Sequence, residues 1–152
     1  MHVGVTKVTE YLFNEFYKDS EEEYTCPPCD SDEYSGTLYR YMKNKDVITE
    51  KDYKFSLERS GFRKRYSEDF KTLCQGGGLS SFLTEEAADL NFEKSKKNSI
   101  VMKNFKGLYK IEISKLDGVI KHTPNKNNRE HYTWWHKKDT DYLSKSYFIK
   151  NY

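Results

Sequence analysis

Residues 108–123 read Leu108-Tyr109-Lys110-Ile111-Glu112-Ile113-Ser114-Lys115-Leu116-Asp117-Gly118-Val119-Ile120-Lys121-His122-Thr123. Two runs rich in β-branched and aromatic residues, Leu108–Ser114 and Val119–Thr123, flank Asp117-Gly118. An Asp-Gly pair between such runs is a hairpin signal, because both residues tolerate the positive φ of a tight turn. The stretch therefore predicts two antiparallel strands. Further strands are expected at Gly36–Lys43, Leu79–Leu83, Ser99–Lys103, Tyr132–Trp135 and Tyr147–Ile149.

Helices are expected between these runs. Thr84 precedes Glu85-Glu86-Ala87-Ala88, with Leu83 and Ala88 placed as a hydrophobic staple. Thr49 opens a second such start, followed by Glu50, Asp52 and Tyr53 and running to Arg59. Tyr66, Phe70 and Leu73 share one helical face, and so do Val8, Leu12 and Phe16 near the N-terminus. Residues 19–35 are acidic, carry two of the three prolines and read as a loop. The expected fold class is α+β, a mainly antiparallel sheet with two or three flanking helices. The expected division is residues 1–35, an N-terminal helix with its acidic CPPC loop, and residues 36–152, a single α+β domain.

The 152 residues suffice for one domain with its own core. Aromatics make up 16% of the chain, with 13 Tyr and 9 Phe, which offsets a modest aliphatic content and argues against disorder. The net charge of +2 gives no global attraction to nucleic acid. No apolar run approaches the roughly 20 residues that span a bilayer, and the first eighteen residues lack the pattern of a secretory signal. Three cysteines, an odd and low count, predict no disulfide framework but reduced thiols in a cytoplasmic protein.

Several groups could carry chemistry. Cys26-Pro27-Pro28-Cys29 has the spacing of a zinc-thiolate pair or a redox dithiol, or is simply a loop. Gly76-Gly77-Gly78, followed by Ser80 and Ser81, could present backbone amides to a phosphate or make a turn. Cys74 reads as a core residue or, if one of the late histidines serves it as a base, as a nucleophile. Arg40 shares an alternating strand face with Leu38 and Met42, so it must find a partner or line a cleft. His131-Tyr132-Thr133-Trp134-Trp135-His136 either seals a core or offers His131 and Trp134 as a stacking surface for a base. Lys121-His122 with Lys126–Arg129, Arg59–Arg65 and Lys94–Lys106 are locally basic.

Leu38-Tyr39-Arg40, Asp52 and Phe55, Cys74 ahead of Gly78-Leu79-Ser80-Ser81-Phe82, Ala87 and His131-x-Thr133-Trp134-Trp135 together resemble a family of small, largely uncharacterised bacterial proteins. The similarity covers roughly residues 37–136. A weaker resemblance links Arg40 and Ser80-Ser81-Phe82-Leu83-Thr84-Glu85 to ADP-ribosyltransferase-like folds. That resemblance implies an NAD-gripping Arg40, a supporting Ser80 and a catalytic glutamate, for which Glu112 and Glu130 are the candidates.

Three functions follow as expectations. The first is a nucleotide- or NAD-binding domain, in its fullest form a transferase, using Arg40, Gly77, Gly78, Ser80, Ser81, His131 and Trp134. The second is a protein-interaction module, such as an immunity protein, inhibitor or accessory factor in a bacterial defence or toxin system. The third is a local basic patch for nucleic acid. Zinc at Cys26 and Cys29 is the only metal site suggested.

Overall fold

The structure, a computed structural model, describes residues 26–53, 74–75, 77–96, 101–125, 128–137 and 141–152. The helices expected at residues 6–18 and 62–73, and the second half of the one expected at 49–59, lie outside them. Seven strands are formed: β1 (Asp32–Glu33), β2 (Gly36–Met42), β3 (Leu79–Ser81), β4 (Gly107–Ile113), β5 (Gly118–His122), β6 (Tyr132–His136) and β7 (Ser146–Asn151). One α-helix among the described residues, α1 (Glu85–Ser95), and three 3-10 turns complete an α+β fold. Two antiparallel sheets result, a four-stranded one ordered β1-β5-β6-β3 and a three-stranded one ordered β2-β4-β7.

The Asp117-Gly118 turn forms, but not as a hairpin. The Asp117 amide donates to Ser114 O at 2.9 Å, and the Asp117 carboxylate accepts from the Ser114 amide at 2.7 Å. Burial opposes ionisation of this carboxyl, but the Ser114 amide and Lys145 outweigh it and hold its pKa below the usual value. Gly118 has φ +141°, and a Cβ there would meet Trp135 O at 2.2 Å, so only glycine fits. Beyond the turn the chain changes sheet: β4 pairs with β2 and β7, whereas β5 pairs with β1 and β6. The turn residues fix a reversal; long-range packing decides which strands pair.

The sheets pack face to face. Leu38, Ile111 and Ile113 from one meet Leu79, Ile120, Trp134 and Trp135 from the other. Both indoles are essentially fully buried. Each removes roughly 200 Å² from water, worth about 5 kcal/mol before entropy is counted. The opposite face of the three-stranded sheet is covered by α1, through Ala88 and Phe92 against Tyr41 and Leu108. The sequence places α1 as expected. Thr84, in extended conformation, accepts from the Ala87 amide at 3.1 Å, and Glu85 and Glu86 occupy the first turn. Tyr41 Oη then donates to Ala88 O at 2.7 Å, tying helix to sheet.

Three expectations are corrected. Residues 101–103, expected within a strand, belong to a 3-10 turn, Val101–Asn104, that leads into β4. The stretch expected as a plain acidic loop contains β1, which pairs with Val119 and Ile120 of β5. Cys26 and Cys74 are not free thiols: they form a disulfide across 48 residues. It fastens the segment before β1 to the segment that leads into β3. Among the described residues, no helix is long and apolar enough to cross a membrane.

Candidate functional site

Among the described residues, one isolated backbone bridge joins the two sheets. Tyr39 of β2 and Phe82, immediately after β3, form an isolated antiparallel bridge. Their amides donate reciprocally at 2.8 and 2.9 Å. The next residue along β2 is Arg40, and the residues just before Phe82 are Ser80 and Ser81. The bridge thus brings Arg40 against Ser80.

Arg40 is buried and reaches in three directions. Its Nε donates to Tyr109 Oη at 2.7 Å, Nη2 to the Asp52 carbonyl at 2.7 Å, and Nη1 to the Ser80 carbonyl. The Asp52 carbonyl is delivered by a 3-10 turn, Glu50–Tyr53. The buried Asp52 carboxylate fixes that turn, accepting from the amides of Lys43 at 2.8 Å and Thr49 at 2.9 Å. A guanidinium has five N–H groups; among the described residues three find acceptors, and one on each terminal nitrogen does not. Among the described residues no carboxylate forms an ion pair with Arg40. Burial raises the pKa of Tyr109 far above its usual value, so its hydroxyl is neutral and accepts from Arg40 while donating to Asp52 O at 3.4 Å.

On the other side of Ser80 stands His131, just ahead of β6. Ser80 Oγ lies 2.9 Å from His131 Nε2. His131 Nδ1 lies 2.8 Å from Thr123 Oγ1 and 3.2 Å from Thr123 O. A carbonyl can only accept, so Nδ1 carries the proton and Nε2 presents its lone pair to Ser80. The Ser80 hydroxyl is therefore the donor. Thr123 is held in turn by its hydroxyl contact with Thr133 at 2.8 Å and by its amide bond to His131 O at 2.9 Å. The imidazole stands edge-on to Phe82 at 5.9 Å. Burial, and to a lesser degree the charges of Arg40 and His122, lower the His131 pKa, while the Thr123 carbonyl raises it. The net shift is downward, and the ring is neutral at pH 7.

Arg40, Ser80 and His131 are thus brought together; the other expected residues are not. Trp134 is fully buried in the core and offers no stacking surface. The amides of Gly77 and Gly78 are used inside their own turn, donating to Cys74 O and Gln75 O at 3.1 Å each, so they cradle no phosphate. Gly78 is required by packing: a Cβ would lie 2.3 Å from Thr133 Cγ2. Ser81 is buried, with its hydroxyl on Leu79 O at 3.3 Å. Glu112 accepts from Thr37 Oγ1 at 2.8 Å and is paired in register with that residue, on the face of β4 opposite Tyr109 and Arg40. Glu130 is exposed in the turn next to His131. Cys26 is occupied by its disulfide and Cys29 is an exposed free thiol, so this pair is not a dithiolate. Among the described residues no group of three or more His, Cys, Asp or Glu could hold a metal ion. Lys121, part of the expected basic patch, pairs with Asp30 at 3.0 Å.

Residues the sequence reading did not weigh for the site are Thr123 and Tyr109; His136, read only as part of the His131–His136 stretch, is buried. His136 Nδ1 lies 3.1 Å from Lys137 O, whereas its Nε2 and Trp134 Nε1 are buried without a hydrogen-bond partner among the described residues. Burial, with a smaller push from Arg40 against the pull of Lys137 O, lowers the His136 pKa to about 4. The unfolded value is about 6.5. Between these values the unfolded chain binds the proton and the folded chain does not, so stability falls as pH drops from about 6.5 toward 4. Melting temperature measured from pH 7 to 4.5 is expected to decline, and to decline less steeply in His136→Gln.

No protein-family model matches the chain, and no significant similarity is found to a curated protein or to a solved structure.

Proposed function

We propose that the chain is a binding domain for a small nucleotide-like ligand, seated at the corner where Arg40, Ser80 and His131 meet. The observation that carries the reading is the Tyr39–Phe82 bridge, because it sets a buried cation beside an exposed hydroxyl and a neutral imidazole. A guanidinium that, among the described residues, has spare N–H groups and no carboxylate partner favours an anionic ligand group, since a buried charge is costly without compensation. The resemblance to ADP-ribosyltransferase-like folds supports NAD or a related nucleotide. It does not extend to transfer chemistry through Glu112, which lies on the far face of β4. The disulfide removes the support that three reduced thiols lent to a cytoplasmic location.

The test is melting temperature against NAD, AMP and inorganic phosphate. At a ligand concentration of 100 times Kd the stabilisation is about 2.7 kcal/mol, or roughly 5–10 °C for a domain of this size. The rise is expected to vanish in Ser80→Ala and His131→Ala and to persist in Glu112→Gln. No rise with any of the three ligands ends this reading. The protein-interaction reading would then gain, favoured by the exposure of Leu143, Tyr147 and Phe148 within six residues.

A further inference from the structure

We infer that Ser80 is a nucleophile activated by His131, and that the corner can cleave an ester by acyl transfer. The inference uses the same corner as the binding reading but does not depend on its ligand. It stands on three observations: the hydroxyl is exposed, the base is in hydrogen-bond reach, and the base is itself oriented by a third group.

Nucleophilic catalysis by serine needs a base that can take its proton and is held in the right tautomer. The 2.9 Å separation of Ser80 Oγ and His131 Nε2 meets the first need. The Thr123 carbonyl on Nδ1 meets the second. It takes the orienting place that a buried carboxylate holds in a Ser-His-Asp triad. A neutral carbonyl stabilises an imidazolium less than a carboxylate does, so the pair is a weaker base than a full triad. Ser80 sits on β3, whose pairing with β6 sets Ser80 opposite Thr133. Thr133 in turn contacts Thr123, which holds His131. The hydroxyl, the base and the orienting residue are thereby fixed to paired strands of one sheet and the turn that joins them. Arg40 adds a positive charge hydrogen-bonded to the carbonyl of Ser80 itself. That charge favours the negative oxygen that develops during attack.

The reaction balances within these groups and water. Ser80 Oγ forms a bond to the ester carbonyl carbon while its proton passes to His131 Nε2 and the carbonyl π pair moves onto oxygen. Collapse breaks the bond to the alkoxide, which takes the proton back from His131 Nε2 and leaves as the alcohol. Water, giving its proton to His131, then attacks the acyl group on Ser80. Collapse breaks the bond from the acyl carbon to Ser80 Oγ, the acid departs, and His131 Nε2 returns the proton to Ser80 Oγ, restoring the hydroxyl.

A fluorophosphonate probe reads the first step alone: an Oγ–P bond forms, the P–F bond breaks, fluoride leaves, and the proton passes through His131 to solvent. Intact mass and peptide mapping are expected to show one adduct, at Ser80. Ser80→Ala should abolish it, and Ser144→Ala, at an exposed serine elsewhere, should leave it unchanged. His131→Gln should slow labelling by roughly 10²–10⁴-fold, the usual contribution of a general base. The wild-type rate should rise with pH through a value below 6.5 and then level off, because only the neutral imidazole accepts the proton. Circular dichroism confirms that the variants are folded. No adduct at Ser80, or equal rates in wild type and His131→Gln, overturns the inference. Labelling uses the free protein, so it can fail while a nucleotide still raises the melting temperature, and the converse result is equally readable.

Discussion

Arg40→Met is expected to destabilise the protein by about 3–5 kcal/mol, the range seen when one partner of a buried polar cluster is removed. Methionine matches the length of the stem but donates nothing. The Ser80 carbonyl loses its side-chain donor, the Tyr109 hydroxyl loses its donor, and the Asp52 carbonyl keeps only the longer bond from Tyr109. Each buried acceptor left unmade costs about 1–3 kcal/mol. Arg40→Lys should recover only part of the loss, because one ammonium on a flexible stem cannot bond in the three fixed directions of the guanidinium fork. The measurement is the urea midpoint of wild type and both variants. If Arg40→Met unfolds at the same urea concentration as wild type, the guanidinium does not hold β2, β3 and the 50–53 turn together. The same geometry makes Arg40 a poor choice for testing ligand binding, since its removal disturbs the frame that positions Ser80. Ser80 and His131 are the cleaner probes.

Reduction of the Cys26–Cys74 bond carries the second large effect. It closes a segment of 48 residues. The chain-entropy account gives about 4 kcal/mol for a loop of that length, within the 2–5 kcal/mol usual for native disulfides. A melting temperature lower by roughly 10 °C is expected in the presence of a reductant. The Cys26→Ala/Cys74→Ala double variant should melt at that lower temperature with or without reductant. Thiol titration of the denatured, unreduced protein should find one group, Cys29. Three titratable thiols, together with a melting temperature indifferent to reductant, would show that the bond does not form.

Local signals in the sequence were reliable where local physics decides. Thr84 caps α1 because its hydroxyl reaches an amide three residues on, and the glutamates that follow complement the helix dipole. The strands at β2, β4, β5 and β6 follow from runs of β-branched and aromatic residues. Several misreadings share one cause, a partner distant in sequence. Asp117-Gly118 announces a reversal, but the sheet each flanking strand joins is decided by β2, β6 and β7, between 10 and 80 residues away. Cys26 finds Cys74 rather than Cys29, and an odd count of cysteines hides that pairing. Trp134 could have stacked on a ligand or filled a core; only the arrival of the second sheet settles it as core. At the candidate site, Arg40, Ser80 and His131 were legible as unusual residues. Their convergence was not, because it depends on the Tyr39–Phe82 bridge, whose members lie 43 residues apart.

The sheet order also determines where the molecule can recruit another backbone. The inner margins, β2 and β3, meet each other through Tyr39 and Phe82. Of the outer margins, β1 is two residues long and both are acidic, features that discourage a foreign strand. That leaves β7, six residues with Tyr147 and Phe148 turned substantially to solvent, and with no further strand beside it among the described residues. Concentrated preparations should therefore be watched for assembly that starts at this margin. A charge placed at Tyr147 is the economical remedy, since its register partner is Lys110, on the face of β4 opposite Tyr109 and Arg40.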